Sequence, residues 1–132
     1  MDIDDSLNTA VVVGDDRGAV MQEVSSTLEK VGFVVVTAPN GQAALDLCRE
    51  QHRPVDLAVI DTAAAGIRPL EVEEQLHEMS PSVRVLFLSD DNAEMIPKSL
   101  GQTRQSLRQP FRRCQFLGQV LDMMAQPRAA SA

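Results

Sequence analysis

The sequence contains no tryptophan and no tyrosine, and only 4 phenylalanines in 132 residues. Its core must therefore be built from aliphatic side chains. The 2 cysteines, Cys48 and Cys114, fall inside helix-like patterns and lack metal-ligand spacing. They read as small, reduced core residues of a reducing compartment. No apolar run reaches membrane-spanning length, and no signal peptide precedes the first apolar stretch, so the expected location is the cytoplasm. Basic residues are in deficit, 12 against 19 acidic ones, for a formal charge of −7. Arg104, Arg108, Arg112 and Arg113 make a local basic cluster too small to offset that, which argues against nucleic acid as a direct partner. Gly14 and Gly18 do not supply a G-x-G-x-x-G turn, which argues against a dinucleotide-binding reading. No Ser-His-acid or metal-histidine constellation occurs. His52 and His77 lie on the polar faces of helix patterns and read as solvated.

What is present amounts to one domain long enough to bury a core, with 44% hydrophobic and 23% charged residues. The informative stretch is Val55 to Asp61. Leu57 to Ile60 is an apolar run suited to a buried strand and too short for a helix. It ends in the carboxylate of Asp61, followed by the small residues Thr62 to Gly66. Taken alone, Asp61 reads more readily as a turn or cap residue than as a functional acid.

The rest of the chain repeats the theme. Ala10 to Val13 is a β-branched strand running into Gly14, Asp15 and Asp16. One acid there serves as a helix N-cap, but two together repel. A helix over Gly18 to Val31 presents Val20, Val24, Leu28 and Val31 as its apolar stripe and ends at Gly32. Phe33 to Val36 is a strand. Asn40 caps a helix with Ala43, Ala44, Leu47 and Cys48 inward. Pro69 starts a third helix with Leu70, Val72, Leu76 and Met79 inward. Val83 to Leu88 is a strand ending in Ser89, Asp90 and Asp91. Residues 92 to 101 are weakly helical and interrupted by Pro97. Ser106-Leu107 is a short strand-like piece, followed by Gln109-Pro110. Phe111 to Met124 is the last helix, with Phe116, Leu117, Val120 and Met124 inward.

Strand-helix alternation of this kind predicts an α/β fold, a doubly wound parallel sheet with helices on both faces. Ligands in such sheets sit beyond the carboxyl ends of the strands. Those ends carry Asp15 and Asp16, Asp61, Ser89 and Gln109. Crowded carboxylates raise one another's pKa or demand a cation, and hard oxygen ligands suit Mg2+. Acids, a divalent cation and a hydroxyl in one cleft point to phosphoryl transfer, with a carboxylate attacking phosphorus.

Together, Val11 to Asp16, Asp56 to Asp61, Val85 to Ser89 and Gln109-Pro110-Phe111 resemble the receiver domain of two-component signalling. The resemblance spans about Ala10 to Met124. It implies a five-stranded, flavodoxin-like (CheY-like) sheet with strand order 2-1-3-4-5. It implies a phosphoacceptor at Asp61, with Mg2+ held by Asp15, Asp16, Asp61 and the backbone carbonyl of Ala63. Ser89 would hydrogen-bond the phosphoryl group and act as the switch. The implied partner is a sensor histidine kinase or histidine phosphotransfer protein, with a downstream protein reading the switched surface and a homodimer expected through the last helix region. The protein would be no enzyme beyond assisting its own phosphotransfer and autodephosphorylation.

Several positions depart from the family pattern. Gln109 stands where the family has a lysine, and loss of that charge-assisted contact costs on the order of 2 kcal/mol. Asp90 replaces a small residue, Ser106 replaces the aromatic switch, and Ala64-Ala65 replaces Met-Pro. These departures motivate an alternative, a phosphorylation-independent pseudo-receiver acting as a protein-interaction module. An aspartyl-phosphate phosphatase would need a second acid where Ala63 stands. The expected organisation is a disordered segment at 1–9, the receiver domain at 10–125 and a flexible tail at 126–132. No output domain is visible in this sequence, so the chain reads as a single-domain regulator or as part of a larger protein such as a hybrid kinase.

Overall fold

The structure, a computed structural model, describes residues 8–14, 19–51, 54–62, 69–89, 104–108 and 111–125. In chain order the elements are β1 (Thr9–Val13), α1 (Ala19–Lys30), β2 (Val34–Ala38), α2 (Gly41–Gln51), β3 (Leu57–Asp61), α3 (Pro69–Met79), β4 (Arg84–Ser89), β5 (Arg104–Arg108) and α4 (Arg113–Ala125). The strands form one parallel sheet in the order β2-β1-β3-β4-β5. This is the doubly wound architecture that the alternation predicts.

Strand alternation sorts the core into two layers. Val11, Val13, Ala58, Ile60, Val85 and Phe87 pack on one face with Ala44, Leu45, Val72 and Leu76 from α2 and α3. Ala10, Val12, Leu57, Val59, Leu86 and Leu88 pack on the other with Val24, Leu28, Phe116 and Val120 from α1 and α4. The inner strands are buried on both faces, which is why they read as unbroken apolar runs rather than alternating ones.

The helix ends follow local chemistry. At the C-terminus of α1, Gly32 adopts a φ of 103°. The Phe33 N–H donates to the Leu28 carbonyl at 3.1 Å and the Gly32 N–H to the Glu29 carbonyl at 3.1 Å. This is a Schellman closure, and Phe33 and Leu28 then meet in the same apolar layer. Asn40 caps α2 as expected, its Oδ1 accepting from the Ala43 N–H at 2.9 Å, an arrangement typically contributing about 1 kcal/mol. At the start of α4, Gln115 reaches back and accepts from the Arg112 N–H at 2.8 Å. Ser80, after α3, accepts from the Val55 N–H through Oγ at 2.9 Å, tying that helix to the entry of β3.

The structure corrects the sequence reading in several places. Val20 and Val31 are exposed at 39% and 42%, and α1 buries Met21, Val24, Thr27 and Leu28 instead. The longer thioether of Met21 reaches the end of β1, whereas Val31 lies past the last helical residue. Phe33 precedes β2 instead of belonging to it, yet is still buried. In α4, Met123 is fully buried, while Leu117 and Met124 are half-buried. Thr9, placed by the sequence reading in the frayed N-terminal segment, is a buried residue of β1. Cys114 is exposed, not a core residue, whereas Cys48 is partly buried against the first layer. His77 is not simply solvated, because its Nε2 lies 3.9 Å from Oε2 of the buried Glu73. On the surface, Arg113 pairs with Glu23 at 2.9 Å, linking α4 to α1. Residues 92–101 with Pro97, and the tail at 126–132, lie outside the described residues.

Candidate functional site

The site is assembled where β1, β3 and β4 end. In β3, Leu57 through Ile60 are fully buried, and the last residue, Asp61, is half-buried. The strand thus carries its carboxylate from a dry interior to the mouth of the sheet. On one side, Val13 of β1 pairs with Ile60, and the Gly14 N–H continues the ladder to the Ala38 carbonyl at 2.9 Å. On the other side, Asp61 pairs with Leu88 of β4, and Ser89 is the next residue and the end of that strand.

Gly14 is closely packed by the Met21 side chain. A Cβ there would stand 2.6 Å from Cε and 3.0 Å from Cγ of Met21. The Met21 side chain therefore occupies the space that a side chain at position 14 would fill, against the end of the strand that leads to Asp15 and Asp16.

The structure brings together Asp61 and the backbone of Ser89 at the carboxyl end of the sheet, with Gly14 at the end of the neighbouring strand. Asp15, Asp16, Ala63, Asp90 and Gln109 lie outside the described residues. In the sequence Asp15-Asp16, Ala63, Asp90 and Gln109 follow Gly14, Thr62, Ser89 and Arg108. Among the described residues, no cluster of three or more His, Cys, Asp or Glu side chains is arranged to hold a metal ion. Asp61 is the described member of the expected Mg2+ set, and a half-buried carboxylate at a strand mouth suits a hard cation that retains water. Ser106, at the position where the family has an aromatic switch, is exposed on β5, and its carbonyl accepts from Gln119 Nε2 at 3.1 Å.

The sequence reading missed one residue at this end of the sheet. Thr62 donates twice to the Leu88 carbonyl, from its backbone N–H at 3.0 Å and from Oγ1 at 3.2 Å. No sequence signal marks it, because its partner lies 26 residues away.

A parallel five-stranded α/β sheet of this order, with an acid at the mouth of its central strand, defines the flavodoxin-like class of fold. Residues 11–106 match the response regulator receiver domain, and the chain belongs to that family. It is 30% identical over 88 residues to the alkaline phosphatase synthesis transcriptional regulatory protein PhoP of Bacillus subtilis, covering 67% of this chain and 36% of that protein. It is 32% identical over 89 residues to the "Probable transcriptional regulatory protein TcrX" of Mycobacterium tuberculosis, covering 67% of this chain and 37% of that protein. The chain thus spans little more than a third of the length of these relatives. Among solved structures, a receiver domain protein from Clostridium thermocellum superposes with a TM-score of 0.74 at 17% identity, covering 89% of this chain and 94% of that one. A receiver protein from Sinorhizobium medicae gives a TM-score of 0.74 at 19% identity, covering 90% and 95%. These structural likenesses concern the fold. Among the described residues, no helix is long and apolar enough to cross a membrane.

Proposed function

We propose that the protein is the phosphoacceptor of a two-component phosphorelay in the cytoplasm, taking a phosphoryl group on Asp61. The observation that carries this reading is the position of Asp61. It is the half-buried terminal residue of a fully buried strand, laterally paired with the residue before Ser89. A carboxylate so placed can meet a donor, on a strand whose backbone is paired on both sides.

The donor is a phosphohistidine on a sensor histidine kinase or histidine phosphotransfer protein. An Asp61 carboxylate oxygen attacks phosphorus, the P–N bond breaks as the new P–O bond forms, and the imidazole leaves with the bonding electron pair. Asp15, Asp16, Asp61 and the Ala63 carbonyl would hold Mg2+, which would supply positive charge against the phosphoryl oxygens. Ser89 hydrogen-bonds the transferred group and couples it to the surface that a downstream protein reads. Gln109 offers a neutral hydrogen bond where the family has a cation, so the phosphorylated state is held with less electrostatic support. The chain catalyses nothing beyond its own phosphorylation and dephosphorylation.

The test is incubation with Mg2+ and acetyl phosphate, read by intact mass. One phosphoryl group should be added to the wild type and none to Asp61→Asn. No mass gain, or a gain that survives Asp61→Asn, refutes the reading, and partner binding unchanged by Asp61→Asn would favour the phosphate-independent module instead.

A further inference from the structure

We propose that Thr62 is a positioning residue for the reaction at Asp61, acting through its side-chain hydroxyl. The inference rests on the reading of Asp61 as phosphoacceptor and adds a component to that site. The parallel ladder between β3 and β4 requires only the bond from the Thr62 N–H to the Leu88 carbonyl, at 3.0 Å. The Thr62 hydroxyl adds a second donor to the same oxygen, at 3.2 Å. A carbonyl oxygen has two lone pairs, and here both are engaged by one residue.

The location gives this double bond its consequence. Thr62 directly follows Asp61, and the Leu88 carbonyl belongs to the peptide unit that leads into Ser89. The two strands end here, Asp61 closing β3 and Ser89 closing β4. Strand ends open most readily, because beyond them no further ladder bond holds the register. The hydroxyl staples the last rung, and so fixes the spacing between the backbones that carry the acceptor carboxylate and the Ser89 hydroxyl. Both groups must meet one phosphoryl group, and displacements well under 1 Å are enough to slow such reactions. Half-burial of Thr62 shields the staple from competing water.

The discriminating substitutions are Thr62→Val, which keeps the shape and removes the hydroxyl, and Thr62→Ser, which keeps the hydroxyl and removes the methyl. Thr62→Ala serves alongside in case valine does not fold. The full chain is phosphorylated with acetyl phosphate and Mg2+, and the initial rate of mass gain is followed across donor concentrations. In this step the acyl phosphate P–O bond breaks, an Asp61 oxygen–phosphorus bond forms and acetate leaves. Thr62→Val and Thr62→Ala should lower the maximal rate about 5-fold with an unchanged half-saturating donor concentration, as expected for a lost positioning bond. Thr62→Ser should stay within about twofold of wild type. A folded Thr62→Val or Thr62→Ala protein that reacts at the wild-type rate overturns the inference. So does a Thr62→Ser protein as slow as Thr62→Val, which would mark the methyl packing as the important feature. A wild type that gains no phosphoryl group fails the reading of Asp61 itself, a result distinct from either of these.

Discussion

Ser80 offers a quantitative test of how the acid-bearing strand is anchored. Its Oγ accepts from the Val55 N–H at 2.9 Å, and both residues are buried, each 4% exposed. Ser80→Ala removes the acceptor and leaves that N–H enclosed without a replacement. A neutral hydrogen bond contributes about 1 kcal/mol net, but an orphaned buried donor costs about 1–3 kcal/mol. The backbone bonds of Ser80 to Leu76 and Val83 do not depend on the side chain and survive the substitution. The expected loss is therefore about 2 kcal/mol. With a urea m-value of roughly 1.5–2 kcal/mol/M, the midpoint should fall by about 1 M. Equilibrium urea unfolding followed by circular dichroism measures this directly, with Ser26→Ala on the exposed side of α1 as a control expected within about 0.5 kcal/mol of wild type. Val55 precedes β3 at the end opposite Asp61, so phosphoryl incorporation under folding conditions should not change. A Ser80→Ala protein within about 0.5 kcal/mol of wild type, with an unchanged m-value, refutes the reasoning.

Phe116→Ala should cost about 3–5 kcal/mol in the same assay, because the ring is 1% exposed and stacks on Phe111 with centroids 5.9 Å apart. Gly14→Ala should destabilise by about 1 kcal/mol, since the methyl displaces the flexible Met21 side chain, and Met21→Ala in the same chain should recover part of that loss in a double-mutant cycle. Alkylation at neutral pH should modify the exposed Cys114 readily and Cys48 only slowly. Burial pushes the Cys48 thiol up, with the Arg49 charge pulling weakly the other way. The folded state therefore holds this proton to higher pH than the unfolded chain, so stability declines as pH rises through the ordinary thiol value and on to the raised one. Cys48→Ala should flatten that alkaline decline in urea midpoints measured across a pH series.

The parts of the fold most legible in the sequence are those where one physical demand dominates. Strands buried on both faces require unbroken apolar runs, so β1, β3 and β4 stand out. The edge strand β5 carries arginines, a glutamine and a serine, and only Ser106-Leu107 hinted at it. Its pairing with β4 comes from register, which no local pattern encodes. Helical stripes were legible in period but not in extent. Val20 and Val31 have the right spacing, yet α1 meets the sheet along Met21, Val24 and Leu28. Of the site, Asp61 was legible because a carboxylate ending an apolar run is chemically conspicuous. The role inferred for Thr62 was not, since it exists only once β3 and β4 lie side by side.

The order β2-β1-β3-β4-β5 also bears on how the chain is made. β1 and β2 can pair as soon as both have left the ribosome. β3 then joins the free flank of β1, β4 that of β3, and β5 that of β4. No strand must be wedged between two already paired, so the sheet can grow outward in one direction at the pace of translation. Asp61 emerges on what is then an unguarded border of a three-stranded nascent sheet. The synthesis of β4 closes that border, and only then does Thr62 find Leu88. The mouth of the sheet around Asp61 is thus complete only once β4 is in place.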